Sequence, residues 1–322
     1  MPIEPQWESN KKGQRQVAVP GILGGLGPLA HIELEKRILQ ICHHQRGVRC
    51  DQDYPTWLVV SATQIPDRTH SLRENSLRED NLRKETSHKK ENSQERDECL
   101  LALQHYARSL QTMGSDFLVV SCNTAHAFYG PVQAEIDIPW LHLMDVTTHF
   151  IRQQYPDVSR VGVLATDGTI KARLYANSLR KADLMPIEPA YGSLVQKQVM
   201  QSIYAPTWGI KTAGIRVSDR ALKQVSEAAA SLYAEGAEVI IAGCTELSIA
   251  CAQLQAMPIP WVDPLDAIAS SILTYAYGDR PLPLSGPALS GPSLSSPDPS
   301  LSGSSLSTKT RNVSPILNYA AL

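Results

Sequence analysis

Apolar residues are not spread evenly along this chain. Short, nearly continuous apolar runs lie at 17–23, 57–61, 117–121, 161–165 and 239–242. Between them, as at 99–112 and 218–235, apolar residues recur every three or four positions. The runs read as strands covered on both faces, and the wider spacing reads as amphipathic helices. Strands alternating with helices predict an α/β protein with mostly parallel sheets. The patterned region extends from 17 to about 278, and residues 1–16 are expected to be a disordered N-terminus. At 322 residues the chain is long enough for two compact units.

Two further segments break the pattern. Residues 70–98 are strongly charged and carry a tandem five-residue repeat: SLREN at 71–75, SLRED at 76–80 and NLRKE at 81–85. A period of five fits neither helix nor strand. The composition predicts a solvated insertion that allows transient helix. Residues 279–322 are rich in Ser, Pro and Gly and read as a disordered tail. A formal net charge of -2 gives no electrostatic footprint for nucleic acid or an anionic membrane. The N-terminus lacks the apolar stretch of a signal peptide, and the longest apolar runs are too short to cross a bilayer, so a cytoplasmic location is expected. Six cysteines at irregular spacing in a chain of this size are expected to be reduced thiols.

Two of those thiols occur in matching contexts. Cys122 follows a strand in FLVVSCNTAHA, and Cys244 follows a strand in VIIAGCTELSIA. Each apolar strand ends in a small residue, then Cys, then hydroxyl or amide residues, then a helical pattern. That places each thiol at a strand C-terminus, the edge where open α/β sheets bind ligands. A following helix N-terminus is expected to favour negative charge and lower the thiol pKa. Two such units suggest two related halves facing each other. Facing thiols suit the inversion of a carbon centre, in which a proton leaves one face and another arrives at the opposite face. The alternative is that both cysteines are buried packing residues.

Other segments add to this picture. The turn GILGGLGPLA at 21–30 lets backbone approach closely, for carboxylate binding or loop geometry rather than for a nucleotide. In QIPDRT at 64–69, Arg68 has the fork geometry to grip a carboxylate. Cys42, His43, His44 and Cys50 fit no common zinc spacing, and no metal site is assigned.

Together, GILGGLGPLA (21–30), QIPDRT (64–69), CNTAHAF (122–128), LATDGTI (164–170), IIAGCTEL (240–247) and VDPLDAIA (262–269) resemble the aspartate/glutamate racemase family, its aspartate racemase branch in particular. The resemblance spans residues 17–278 apart from the insertion. It implies two similar α/β domains related by a pseudo-twofold axis, with the active site in the cleft between them. Their limits would be 17–138 plus 258–278 for the first and 141–255 for the second. It implies an amino-acid substrate, aspartate first, no cofactor, no metal and a homodimer. Cys122 and Cys244 would be the acid/base thiols. Arg68 and Lys211 would bind substrate, with Asn123, Thr124 and Thr245 as donors, and His126 and Glu246 would stand behind them. Three positions depart from the family pattern: Ser121 replaces a Pro, His31 replaces a Thr, and the loop before Lys211 is longer than usual. Two related activities are the rivals, hydantoin racemisation and maleate cis–trans isomerisation. A catalytically inactive amino-acid-binding regulatory protein is the rival of a different class.

Overall fold

The computed structural model describes residues 16–72, 85–254 and 259–284. The strands are β1 (Pro20–Gly24), β2 (Leu58–Ser61), β3 (Phe117–Val120), β4 (Arg160–Ala165), β5 (Met185–Ile187), β6 (Val239–Gly243) and β7 (Trp261–Val262). Between and after them run the helices α1 (Pro28–Gln45), α2 (Arg68–Ser71), α3 (Glu85–Thr112), α4 (Tyr129–Gln133), α5 (Leu143–Gln154) and α6 (Asp167–Lys171). The second half adds α7 (Leu174–Lys181), α8 (Leu194–Tyr204), α9 (Ile210–Ala213), α10 (Asp219–Ala234), α11 (Thr245–Gln253) and α12 (Pro264–Ala276).

The strands form two parallel sheets, ordered β2-β1-β3 and β5-β4-β6-β7. An isolated parallel bridge between Leu118 and Trp140 extends the first sheet beyond β3. Each sheet therefore repeats one plan: the first strand is central, the second lies on one side, the third on the other, and a short fourth segment lies beyond. β1, β3 and β6 are buried along their whole length, and β4 along all but its first residue. This is the cause of the continuous apolar runs in the sequence.

Two stretches differ from the sequence expectation. The first is the charged segment before Cys99. From Glu85 it belongs to α3, one 28-residue helix, while residues 94 and 96–98 are exposed, as a solvated segment requires. Cys99, Leu103, Ala107 and Leu110 form a fully buried stripe that anchors this helix against the first sheet. Once such a nucleus exists, adding turns costs little, and Glu and Lys are good helix formers. Most of the five-residue repeat falls on residues outside the described ones, as do residues 1–15 and 285–322. The second is the returning stretch after residue 258. Its strand β7 pairs with β6 in the second sheet, while its helix α12 packs on α1 and α5.

One core cluster spans both halves. Ile22, Leu34, Ile38, Phe117 and Val119 of the first half join Val161, Val163, Val239, Ile241, Leu265 and Ile268 of the second. Arg37 on α1, almost wholly buried, pins α12 from within. Its Nη2 lies 2.5 Å from Asp263 and its Nε 2.7 Å from Asp266. Burial and the neighbouring Asp263 charge push the Asp266 carboxyl up to about 6. No helix among the described residues is long and apolar enough to cross a membrane.

Candidate active site

The C-terminal ends of β3 and β6 deliver Cys122 and Cys244 to a single cleft. Leu26, Asp67, Arg68, Thr69, Asn123, Thr124, Thr166, Tyr204, Lys211, Thr245 and Glu246 complete its lining. Both cysteines are nearly buried, 7% and 6% exposed. Of the residues expected from sequence, Arg68, Asn123, Thr124, Lys211, Thr245 and Glu246 all reach this cleft. His126 lies behind it.

On the first side, the chain after Cys122 forms a short 3-10 turn, Thr124–Phe128, rather than an α-helix. The expected helix N-terminus at this thiol is therefore absent. His126 fixes the turn instead. Its Nδ1 donates to the Cys122 carbonyl at 2.9 Å, and its Nε2 accepts from Leu143 N–H at 3.2 Å. Burial, with the adjacent His142, depresses this imidazole to about 3, so it is neutral and its tautomer is set by those two bonds. Asn123 receives the Tyr175 hydroxyl on Oδ1 at 2.5 Å. Its Nδ2 is buried with no partner among the described residues, a donor available to a ligand.

Arg68 opens α2 and is held by the glycine turn. Its Nη1 donates to the carbonyls of Pro66 at 2.9 Å and Ile65 at 3.3 Å, and its Nη2 to that of Leu26. The buried Nε keeps no partner among the described residues. Burial opposes the guanidinium charge, but Cys122 and Asp67 outweigh it and hold the group protonated. Asp67 caps α2 by accepting from His70 N–H at 2.9 Å. Burial pushes the Asp67 carboxyl up, yet that N–H, Arg68 and Lys211 bring it below the usual range. The tight turn requires its glycines. Gly27 has φ +141, and a Cβ there would lie 2.8 Å from Glu246 Oε1. His31 occupies its departed position usefully, accepting from Gly25 N–H at 3.3 Å.

On the second side, Cys244 stands at the N-terminus of α11, as expected, but with the opposite electrostatic result. Its thiol donates to Glu246 Oε2 at 2.8 Å. Burial and the Glu246 charge push the thiol well above the ordinary range, against the pull of Lys211. The expectation of a lowered thiol pKa fails here because a carboxylate and desolvation outweigh a helix end. Glu246 Oε1 pairs with Lys211 Nζ at 2.7 Å. Burial works against both charges, but each holds the other ionised: Glu246 below its usual range and Lys211 above.

Sequence reasoning missed several members of this site. Tyr204 donates to Asp67 Oδ2 at 3.2 Å, bridging from α8 to the first half. The hydroxyls of Thr124, Thr166 and Thr169 form a buried triangle with sides of 2.9, 3.0 and 3.2 Å. It joins the ends of β3 and β4. Thr166 and Thr169 lie in LATDGTI, a stretch recognised without roles; Tyr204 is the last residue of α8 and carries no distinctive sequence pattern.

Comparison with known proteins bears on the family and the fold. The family described as Asp/Glu/hydantoin racemase matches residues 23–272. A broad specificity amino-acid racemase of Bacillus subtilis is 26% identical over 259 residues, covering 79% of this chain and 97% of that protein. Among solved structures, the aspartate racemase of Picrophilus torridus superposes with a TM-score of 0.60 at 20% identity, covering 81% of this chain and 94% of that one. An aspartate racemase homologue from Pyrococcus horikoshii gives 0.56 at 18% identity, covering 81% and 99%. These likenesses carry the fold, while the family match covers most of the chain. The chain belongs to the Asp/Glu/hydantoin racemase family, and racemisation is the chemistry its cleft has to explain.

Proposed function

We propose that this protein is a cofactor-independent amino-acid racemase acting on an acidic amino acid, aspartate first, with Cys122 and Cys244 as its two acid/base groups. The observation that carries this reading is the convergence of both thiols, from equivalent strand ends, on one cleft that also holds Arg68 and Lys211. One thiolate takes the Cα proton, and the opposite thiol gives its proton to the other face. The negative charge that develops toward the α-carboxylate would meet the unpartnered Asn123 Nδ2. The unused Nε of Arg68 is the donor for a side-chain carboxylate. Thr124 and Thr245 supply hydroxyls within the same lining.

The test is incubation of the protein with L-aspartate in D2O without pyridoxal phosphate, following Cα deuteration by NMR and D-aspartate by chiral chromatography. Both should appear, and Cys122→Ala or Cys244→Ala should abolish racemisation. A panel with glutamate, neutral amino acids, maleate and a hydantoin separates the related activities. Activity confined to maleate or hydantoin would overturn the amino-acid reading. Ligand binding with no turnover on any substrate would favour a regulatory role.

A further inference from the structure

The two thiols are equally buried, yet their surroundings are not equivalent. Arg68, a guanidinium, lines the cleft together with Cys122. Cys244 faces a carboxylate. Glu246 is ionised, because Lys211 holds its other oxygen at 2.7 Å. A sulfur 2.8 Å from an ionised carboxylate oxygen is held there only as S–H, since a thiolate at that distance would be repelled. The remaining ionisable groups interacting with Cys244 are Lys211 on α9, Tyr204 on α8 and Tyr175 on α7. Both phenols are themselves pushed up by burial and stay neutral, so Lys211 is the cation acting on this thiol.

We propose that Glu246 is a positioning residue that keeps the shared proton on Cys244, so that the free enzyme meets its substrate with Cys122 as the base. This rests on the two-thiol reading of the cleft. In the first turnover Cys122 takes the Cα proton and Cys244 gives its own to the opposite face. Cys122 is then a thiol and Cys244 a thiolate beside Glu246. That product state is electrostatically disfavoured. It resets when Cys244 regains a proton and Cys122 releases one to solvent.

Site-resolved alkylation tests the proposal without any substrate. The folded protein is treated with limiting iodoacetamide between pH 6 and 10, and the initial rate at each cysteine is read by peptide mass spectrometry. The two residues have similar small exposures, 7% and 6%, and the pH midpoint at each cysteine separates ionisation from access. At pH 7.5 Cys122 should be alkylated at least about tenfold faster than Cys244, because the thiolate is the nucleophile. In Glu246→Gln the anion is gone and Lys211 remains, so the pH midpoint for Cys244 should move down and its rate at pH 7.5 should rise by about tenfold. A purely structural loss would speed both cysteines together. Faster alkylation of Cys244 in the wild-type protein would overturn the proposal even if the variant did not fold. An unmoved Cys244 midpoint in a folded variant would do the same. Failure of racemisation with this alkylation order intact would count against the proposed function and not against the proton assignment.

Discussion

The Lys211–Glu246 pair is a sharp test of the energetics, since Glu246 is buried, Lys211 reaches it from the partly exposed rim, and each holds the other charged. Lys211→Met keeps most of the apolar stem and deletes the charge. Breaking a buried pair by removing one partner costs about 3–5 kcal/mol, because an unpaired charge stays behind. Lys211 keeps 26% of its side chain exposed, so solvent reduces this to about 2–3 kcal/mol. For a chain of this size that is a fall in Tm of roughly 3–4 °C. The pH dependence fixes the sign. In the wild-type protein Glu246 sits below its ordinary value, so its contribution is present above the unfolded carboxyl pKa of about 4.3 and is lost as pH falls. Without Lys211, burial dominates and raises the folded value, so ionisation opposes folding above about pH 4.3. The Tm difference between the two proteins should be small at pH 4 and full at pH 7. Adding Glu246→Gln to Lys211→Met should recover most of the loss, because the stranded charge is gone. Thermal melts of the four proteins at both pH values complete the cycle. A Lys211→Met variant as stable as wild type at pH 7, or a double variant no better than the single one, would refute the reasoning.

Gly27→Ala should combine a disfavoured backbone with a collision against the Glu246 carboxylate, costing about 1–3 kcal/mol and most of the racemase activity; Gly47→Ala, with positive φ but open space, should keep its activity, and parallel melts and rate assays compare the two. His126 has a depressed folded pKa, so its contribution is present above the unfolded value of about 6.5 and is lost as pH falls toward about 3. His126→Asn should be less stable at pH 7 by about 2–3 kcal/mol, through the bonds to Cys122 O and Leu143 N, and should show a flatter acid limb in a plot of Tm against pH.

What the sequence carried and what it did not follow one division. The strands β1, β3, β4 and β6 were legible because their burial on both faces writes itself as continuous apolar residues. β5 and β7 were not, being three and two residues long and only partly buried. Cys122 and Cys244 stood out because their contexts repeat, and Arg68 because a fork-shaped cation in a Pro-Asp-Arg turn is a carboxylate's natural partner. The electrostatics at Cys244 were invisible. Thr245–Glu246 reads as an ordinary helix start, and only folding brings Lys211, 35 positions earlier by residue number, to the carboxylate. The same applies to the threonine triangle, whose members come from different strand ends and meet only in three dimensions.

The core that runs through both sheets has a further consequence for how the cleft works. Each half keeps a buried cluster of its own, but the shared one joins them, so a hinge swing between the halves would have to part buried apolar contacts such as those of α12 with α1 and α5. The rim holds less of that interior: α9 is four residues long and bounded by Gly209 and Gly214, and Tyr204 crosses to Asp67 by a single hydroxyl contact. For the same reason a cut between the halves would strip each of its share of the common cluster and leave it with one thiol and no opposite wall.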